Sequence, residues 1–345
     1  MQPKKDKNRK TLKKNPLVSR NTGEKIGHNI KETGADGSRE IVITFSPSFI
    51  VLATYVLLLI SKFIDVTLLN RDNEYMSVII LQMMIFLLPA AVWCMLKGEN
   101  YIKNLRLSLP RADTFFLIVC ASLVMMTGGI LLAIVFHGLD GLSSNFSLYG
   151  TFISKKDGSV ANTLYLILAY AALPAVCEEF LFRGILCHEY ESKGVFRAIA
   201  LSSLFFALLH FNIQNLLVYL FCGAVLALVL YATRSLWGAV IAHFLYNLFG
   251  VFGQPYIATL YRLTEDSRLL VMIVGIVFFL SAALFCSEAS RLYKKYLRHG
   301  LKANYRSDLP EGNAYFRESF LDVLKDPFTL AAFGVYILAL VISLF

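Results

Sequence analysis

The residues able to do chemistry in this chain sit inside apolar segments. The run Pro174-Ala175-Val176-Cys177-Glu178-Glu179-Phe180-Leu181-Phe182-Arg183 carries two acids and an arginine; Phe206-Ala207-Leu208-Leu209-His210 and His243-Phe244-Leu245-Tyr246-Asn247 follow. Charged and ionisable groups are costly in a membrane and point to function by default. On a helix, Glu179 and Arg183 are four residues apart with the acid first, the favourable order for an ion pair. Glu178 then points about 100° away, free to face a cavity. Pro174 cannot donate a backbone hydrogen bond, so the Tyr170 carbonyl is released and a kink is expected just before Glu178. His243 and Asn247 share a helix face. Three chemistries use such a set. A carboxylate and imidazoles can move protons around a water. Glu178, His210 and His243 also resemble the three-ligand set of a catalytic zinc site, with water in the fourth position. A proton relay for transport is the third.

These residues must be positioned by membrane helices. The chain has 345 residues, 57% hydrophobic and only 17% charged, against about a quarter charged in soluble domains. Its apolar residues arrive in blocks long enough to cross the hydrocarbon core, and too long for barrel strands. The expected fold is all-α, a polytopic transmembrane helical bundle of eight to nine spans. Candidate spans lie at 47–69, 76–96, 114–136, 162–187, 196–211, 215–232, 236–252, 269–285 and 328–345. Depths counted along them put Glu178 ~15 Å, His210 ~20 Å, His243 ~13 Å and Asn247 ~19 Å from one membrane face. All four could meet near the middle of the membrane.

Residues 1–45 read as a basic, flexible cytoplasmic tail without apolar periodicity, and 46–345 as the transmembrane domain. With the N-terminus in the cytoplasm, Lys97, Lys103, Arg106, Arg111, Lys193, Arg197, Arg234 and the basic residues from Arg291 to Arg306 fall on the cytoplasmic side, the usual bias. A multi-pass plasma-membrane protein of bacterial type follows. The formal charge of +9 serves topology and attraction to the lipid bilayer, not nucleic acid, because interleaved aromatics are missing from the basic arm. The six cysteines form no CxxC pair, which argues against a disulfide framework or zinc ribbon. The segment between Cys286 and Phe328 reads as a loop whose mixed charges indicate a solvated amphipathic segment, with a docking surface as the alternative.

The three motifs, Glu178-Glu179-x-x-x-Arg183, Phe206-x-x-x-His210 and His243-x-x-x-Asn247, resemble those of the CAAX-protease and bacteriocin-processing family. That family includes the eukaryotic Ras-converting endopeptidase and many bacterial relatives, some linked to bacteriocin immunity. The resemblance covers about 160–252. It implies an intramembrane endopeptidase that hydrolyses a peptide bond of a membrane-associated peptide or protein. Glu178 would be the general base and His210 would hold or activate the water. His243 and Asn247 would stabilise the oxyanion, while Glu179 and Arg183 orient the helix. Zn2+ at Glu178, His210 and His243 stays open beside a metal-free glutamate mechanism, since the zincin motif HExxH is absent. The alternatives are a non-catalytic scaffold or bacteriocin-immunity protein retaining the fold, and a transporter. No internal repeat supports the last.

Overall fold

The structure, a computed structural model, describes residues 29–32, 39–42, 45–63, 74–98, 101–138, 160–253, 256–257, 259, 267–300 and 320–343. The basic residues from Lys4 to Lys14, the loop 139–159 and residues 301–319 of the expected loop lie outside them. The chain divides into two units, 1–45 and 46–345. In the first, β1 (Asn29–Glu32) and β2 (Arg39–Val42) pair antiparallel, with Ile30 opposite Ile41. The second is helical.

Helix α1 is Ser48–Phe63. The next rod, α2, comprises Glu74–Gln82, a π segment Met83–Leu87 and Leu88–Lys97. Then come α3 (Phe115–His137) and the motif rod α4, built of Val160–Leu166, π Ile167–Ala172, Leu173–Glu179, π Phe180–Leu186 and Cys187–Tyr190. α5 is Val195–Leu209 and α6 is Leu216–Thr233. α7 joins Leu236–Leu248 to π Phe249–Gly253, α8 is Ser267–Arg298 and α9 is Pro327–Ile342.

Six of these among the described residues, α2, α3, α4, α6, α7 and α8, are long and apolar enough to cross a membrane; the apolar helices in α1, α5 and α9 are shorter. The shortest of the motif helices, α5, shows why. Its 15 residues reach ~22 Å at 1.5 Å per residue, short of a hydrocarbon core of about 30 Å. It stops at Leu209 because His210 caps it and Phe211 takes a left-handed φ of 46°. A turn at that depth is tolerated only where protein or a wet cavity satisfies the backbone. At the other extreme, α8 does not end at 285. It continues to Arg298, and its 32 residues span ~48 Å. The start of the expected loop is therefore helix, with Leu292 and Tyr296 buried against the bundle.

At the proline where a kink was expected the rod contains a π segment. Ile167–Ala172 widens the turn directly before the proline, and Pro174 occupies the first turn of the following α segment, where its missing N–H costs least.

One end of the bundle is tied by polar side chains. Glu189 accepts from Trp93 Nε1 at 3.2 Å, the Tyr101 hydroxyl at 2.7 Å and Lys97 Nζ at 3.0 Å. Burial, then the charge of Glu189, holds the Tyr101 phenol well above its ordinary range. Glu191 takes Arg106 through both carboxylate oxygens, at 3.0 and 2.8 Å, and the Tyr231 hydroxyl at 3.1 Å. Tyr190 meets Ser48 at 3.0 Å, and Thr329 donates to Ser48 at 2.7 Å, linking α4 to α1 and α9. Charged hydrogen bonds of this kind contribute about 1.5–3 kcal/mol each. Glu191→Leu, which takes both carboxylate contacts from a buried Arg106, should therefore cost about 2–3 kcal/mol, read as a lowered unfolding midpoint in detergent.

Candidate functional site

The motif residues come from α4, the C-terminal end of α5 and α7. Arg183 Nη1 donates to Glu179 Oε1 at 2.7 Å, with both side chains fully buried. Arg183 Nη2 donates to the Gly223 carbonyl of α6 at 3.0 Å. That carbonyl is reachable because Gly223 lets α5 and α6 meet closely: a Cβ there would lie 3.0 Å from Ser203 Cα. The guanidinium also lies 4.4 Å from the centre of the Phe206 ring, a cation–π contact.

Glu179 has a second partner that helix spacing alone did not indicate. His243 Nδ1 stands 2.8 Å from the same Oε1. A carboxylate that already accepts from Arg183 receives a proton from the imidazole, so Nδ1 is the donor and Nε2 points elsewhere. Glu178 is half-buried, its Oε2 is buried without a hydrogen-bond partner in the chain, and it lies within electrostatic reach of His243 and Arg183. The two neighbouring acids thus differ in what holds them: Glu179 accepts twice through Oε1, its Oε2 being buried without a partner like that of Glu178, whereas no hydrogen bond to Glu178 is formed among the described residues.

His210 Nδ1 is 2.9 Å from the Phe206 carbonyl. A carbonyl can only accept, so the proton sits on Nδ1 and the neutral ring presents Nε2 as an acceptor. The ring is stacked on Tyr219 at 3.7 Å. Phe206 lies edge-on to both histidines, 5.0 Å from His210 and 5.8 Å from His243, so one aromatic ring spaces the two imidazoles. Asn247 is buried, its Nδ2 at the long limit of 3.5 Å from the Ala171 carbonyl.

Among the described residues every π segment adjoins this region or the rod packed on it. Ile167–Ala172 contains the carbonyl facing Asn247, Phe180–Leu186 contains Arg183, and Phe249–Gly253 follows Asn247 directly. Such bulges recur at functional sites. Phe206, Tyr219 and Gly223 were missed as contributors. Only Phe206 had a signal, its position four residues before His210.

The metal set left open at Glu178, His210 and His243 does not close: among the described residues no three of His, Cys, Asp and Glu come together so as to hold a metal ion.

Residues 160–249, from α4 into α7, match the family model described as Type II CAAX prenyl endopeptidase Rce1-like. A stretch of 114 residues is 29% identical to a Bacillus subtilis (strain 168) protein named "Putative membrane peptidase YdiL". It covers 33% of this chain and 46% of that protein, so the chain matches less than half the length of this relative. No solved structure matches. With its apolar helices, the chain is a multi-pass membrane protein whose residues 160–249 are similar to the Rce1-like CAAX prenyl endopeptidases and to a Bacillus subtilis protein named as a membrane peptidase.

Proposed function

We propose that this protein is an intramembrane endopeptidase that hydrolyses a peptide bond of a membrane-associated peptide or protein substrate. Glu178 takes a proton from water as the oxygen attacks the scissile carbonyl, and later returns it to the leaving amine. His210, with Nε2 as acceptor, holds that water. His243 and Asn247 face the oxyanion. His243 can donate from Nε2 while Nδ1 stays on Glu179 only when it carries both protons, and the Glu179 carboxylate is the counter-charge for that state. The observation that carries this reading is the division of labour between the adjacent acids, Glu179 tied through Oε1 to Arg183 and His243 while Glu178, also with a buried unpartnered oxygen, carries neither tie.

The tied end of the bundle supports a cytoplasmic N-terminus and eight to nine spans. Lys97, Arg106, Lys295 and Arg234 meet Glu189, Glu191, Asp113 and Tyr296 there, so the basic loops gather on one side as the charge bias requires. The short helices α1 and α9 count as crossings in this reading, and α5 turns back within the membrane. A plasma membrane of bacterial type is the natural setting.

Purified wild type and Glu178→Ala, incubated with fluorogenic and lipidated peptides, test the function. Cleavage by wild type alone is the expected result. A folded wild type that cleaves nothing would favour a scaffold or immunity role. Because the ligand set does not close, cleavage should survive a strong zinc chelator; its loss, together with stoichiometric bound metal, would put a metal in the site.

A further inference from the structure

The family match starts at residue 160, yet the rod packed beside the motif helix also offers a polar group. Gln82 is the last residue of the first segment of α2, immediately before the π segment Met83–Leu87. Its Oε1 is buried without a hydrogen-bond partner in the chain, although the next two residues, Met83 and Met84, are exposed. Gln82 is half-buried and precedes the buried Phe86, Ala90 and Trp93 of α2, at the spacing of one helix face.

The level of Gln82 follows from the contacts between the rods. Glu74–Gln82 packs on Ile167–Ala172 and Leu173–Glu179, Met83–Leu87 on Leu173–Glu179, and Leu88–Lys97 on Phe180–Leu186. The order is the same along both rods, so they run parallel. Their register is pinned where Trp93 donates to Glu189. Gln82 precedes Trp93 by eleven residues (93 − 82), and Glu178 precedes Glu189 by eleven (189 − 178). The two intervals are equal in length, and each contains one π segment. Gln82 and Glu178 therefore stand at the same level of two packed rods, each with an unpartnered buried oxygen.

Two buried acceptors at one level of adjacent rods are satisfied only by donors brought to them. Resting on the endopeptidase reading, the geometry points to Gln82 as a positioning residue that reads the substrate backbone: its carboxamide accepts the N–H of a substrate residue next to the scissile bond and donates to the C=O of that same residue. In an extended chain these two groups point to the same side, and a primary amide matches both. An extended substrate in a dry site needs such a partner, because unpaired backbone groups in the hydrocarbon region are expensive. The water is left to Glu178 and His210.

Steady-state cleavage by full-length wild type and Gln82→Leu, on a cleaved peptide and a series methylated at single backbone nitrogens, tests this. Binding of the same peptides to Glu178→Ala and to Glu178→Ala/Gln82→Leu is measured by fluorescence anisotropy. Gln82→Leu should raise KM about tenfold with kcat little changed and the unfolding midpoint undiminished. One N-methyl position should weaken wild type by a similar factor and leave Gln82→Leu unaffected. Equal KM, or N-methyl effects that are the same in both proteins, would overturn the assignment of Gln82 and leave the protease reading intact. Binding without cleavage would sink the protease reading while the anisotropy series still decides on Gln82. Neither binding nor cleavage would remove both.

Discussion

Arg183→Leu should destabilise the protein by about 3–5 kcal/mol, the usual loss when one partner of a buried ion pair is removed. The Glu179 carboxylate would keep only His243 and have no permanent counter-charge. Glu179→Leu should do comparable damage from the other side, stranding a guanidinium whose remaining contacts are the Gly223 carbonyl and the Phe206 and Phe182 rings. The double variant Glu179→Leu/Arg183→Leu should recover much of that stability, because replacing both charges by apolar groups is often near neutral. It should not recover cleavage, since His243 would have lost the acceptor that fixes its ring. Unfolding midpoints for the three variants, with peptide cleavage by the double, separate the two roles. Stability and cleavage returning together would make the pair purely structural; a double variant no more stable than the singles would mean that the cluster cannot repack.

That experiment also marks what could be read from sequence. The i, i+4 placement of Glu179 and Arg183 and the 100° offset of Glu178 are properties of one helix, so they were legible before any tertiary structure. The partner of His243 depends on how α7 is rotated against α4, and no local spacing encodes that; sequence reading left Glu179 with Arg183 alone, whereas it also anchors the histidine. The apolar blocks located every long helix, but hydropathy does not register where a helix stops inside the membrane. The left-handed turn at Phe211 cuts α5 short, and amphipathic packing carries α8 on to Arg298. The π segment ahead of Pro174 is a response to a proline whose neighbours need a continuous rod, and hydropathy sees only the proline. Phe206 was visible as a motif position, but its place between two imidazoles is a product of three helices meeting.

His210→Ala should lower kcat by about 10²–10⁴-fold, the range for a positioned proton-handling group, with a stability loss of about 1–3 kcal/mol. Its ring is half-buried, closes the end of a helix already terminated by Phe211, and is held by a single carbonyl and by the face of Tyr219. Truncation removes the acceptor Nε2 and takes the Nδ1 partner from the carbonyl of the buried Phe206. Phe206→Leu offers the contrast. It keeps every hydrogen-bonding group but removes the ring that spaces His210 from His243 and covers Arg183, so it should lower both stability and kcat. Unfolding midpoints and single-turnover rates measured on the two variants distinguish a group that handles the proton from one that sets the distance between such groups. A His210→Ala protein that cleaves at the wild-type rate would take His210 out of the reaction and leave Glu178 as the sole proton acceptor for the water.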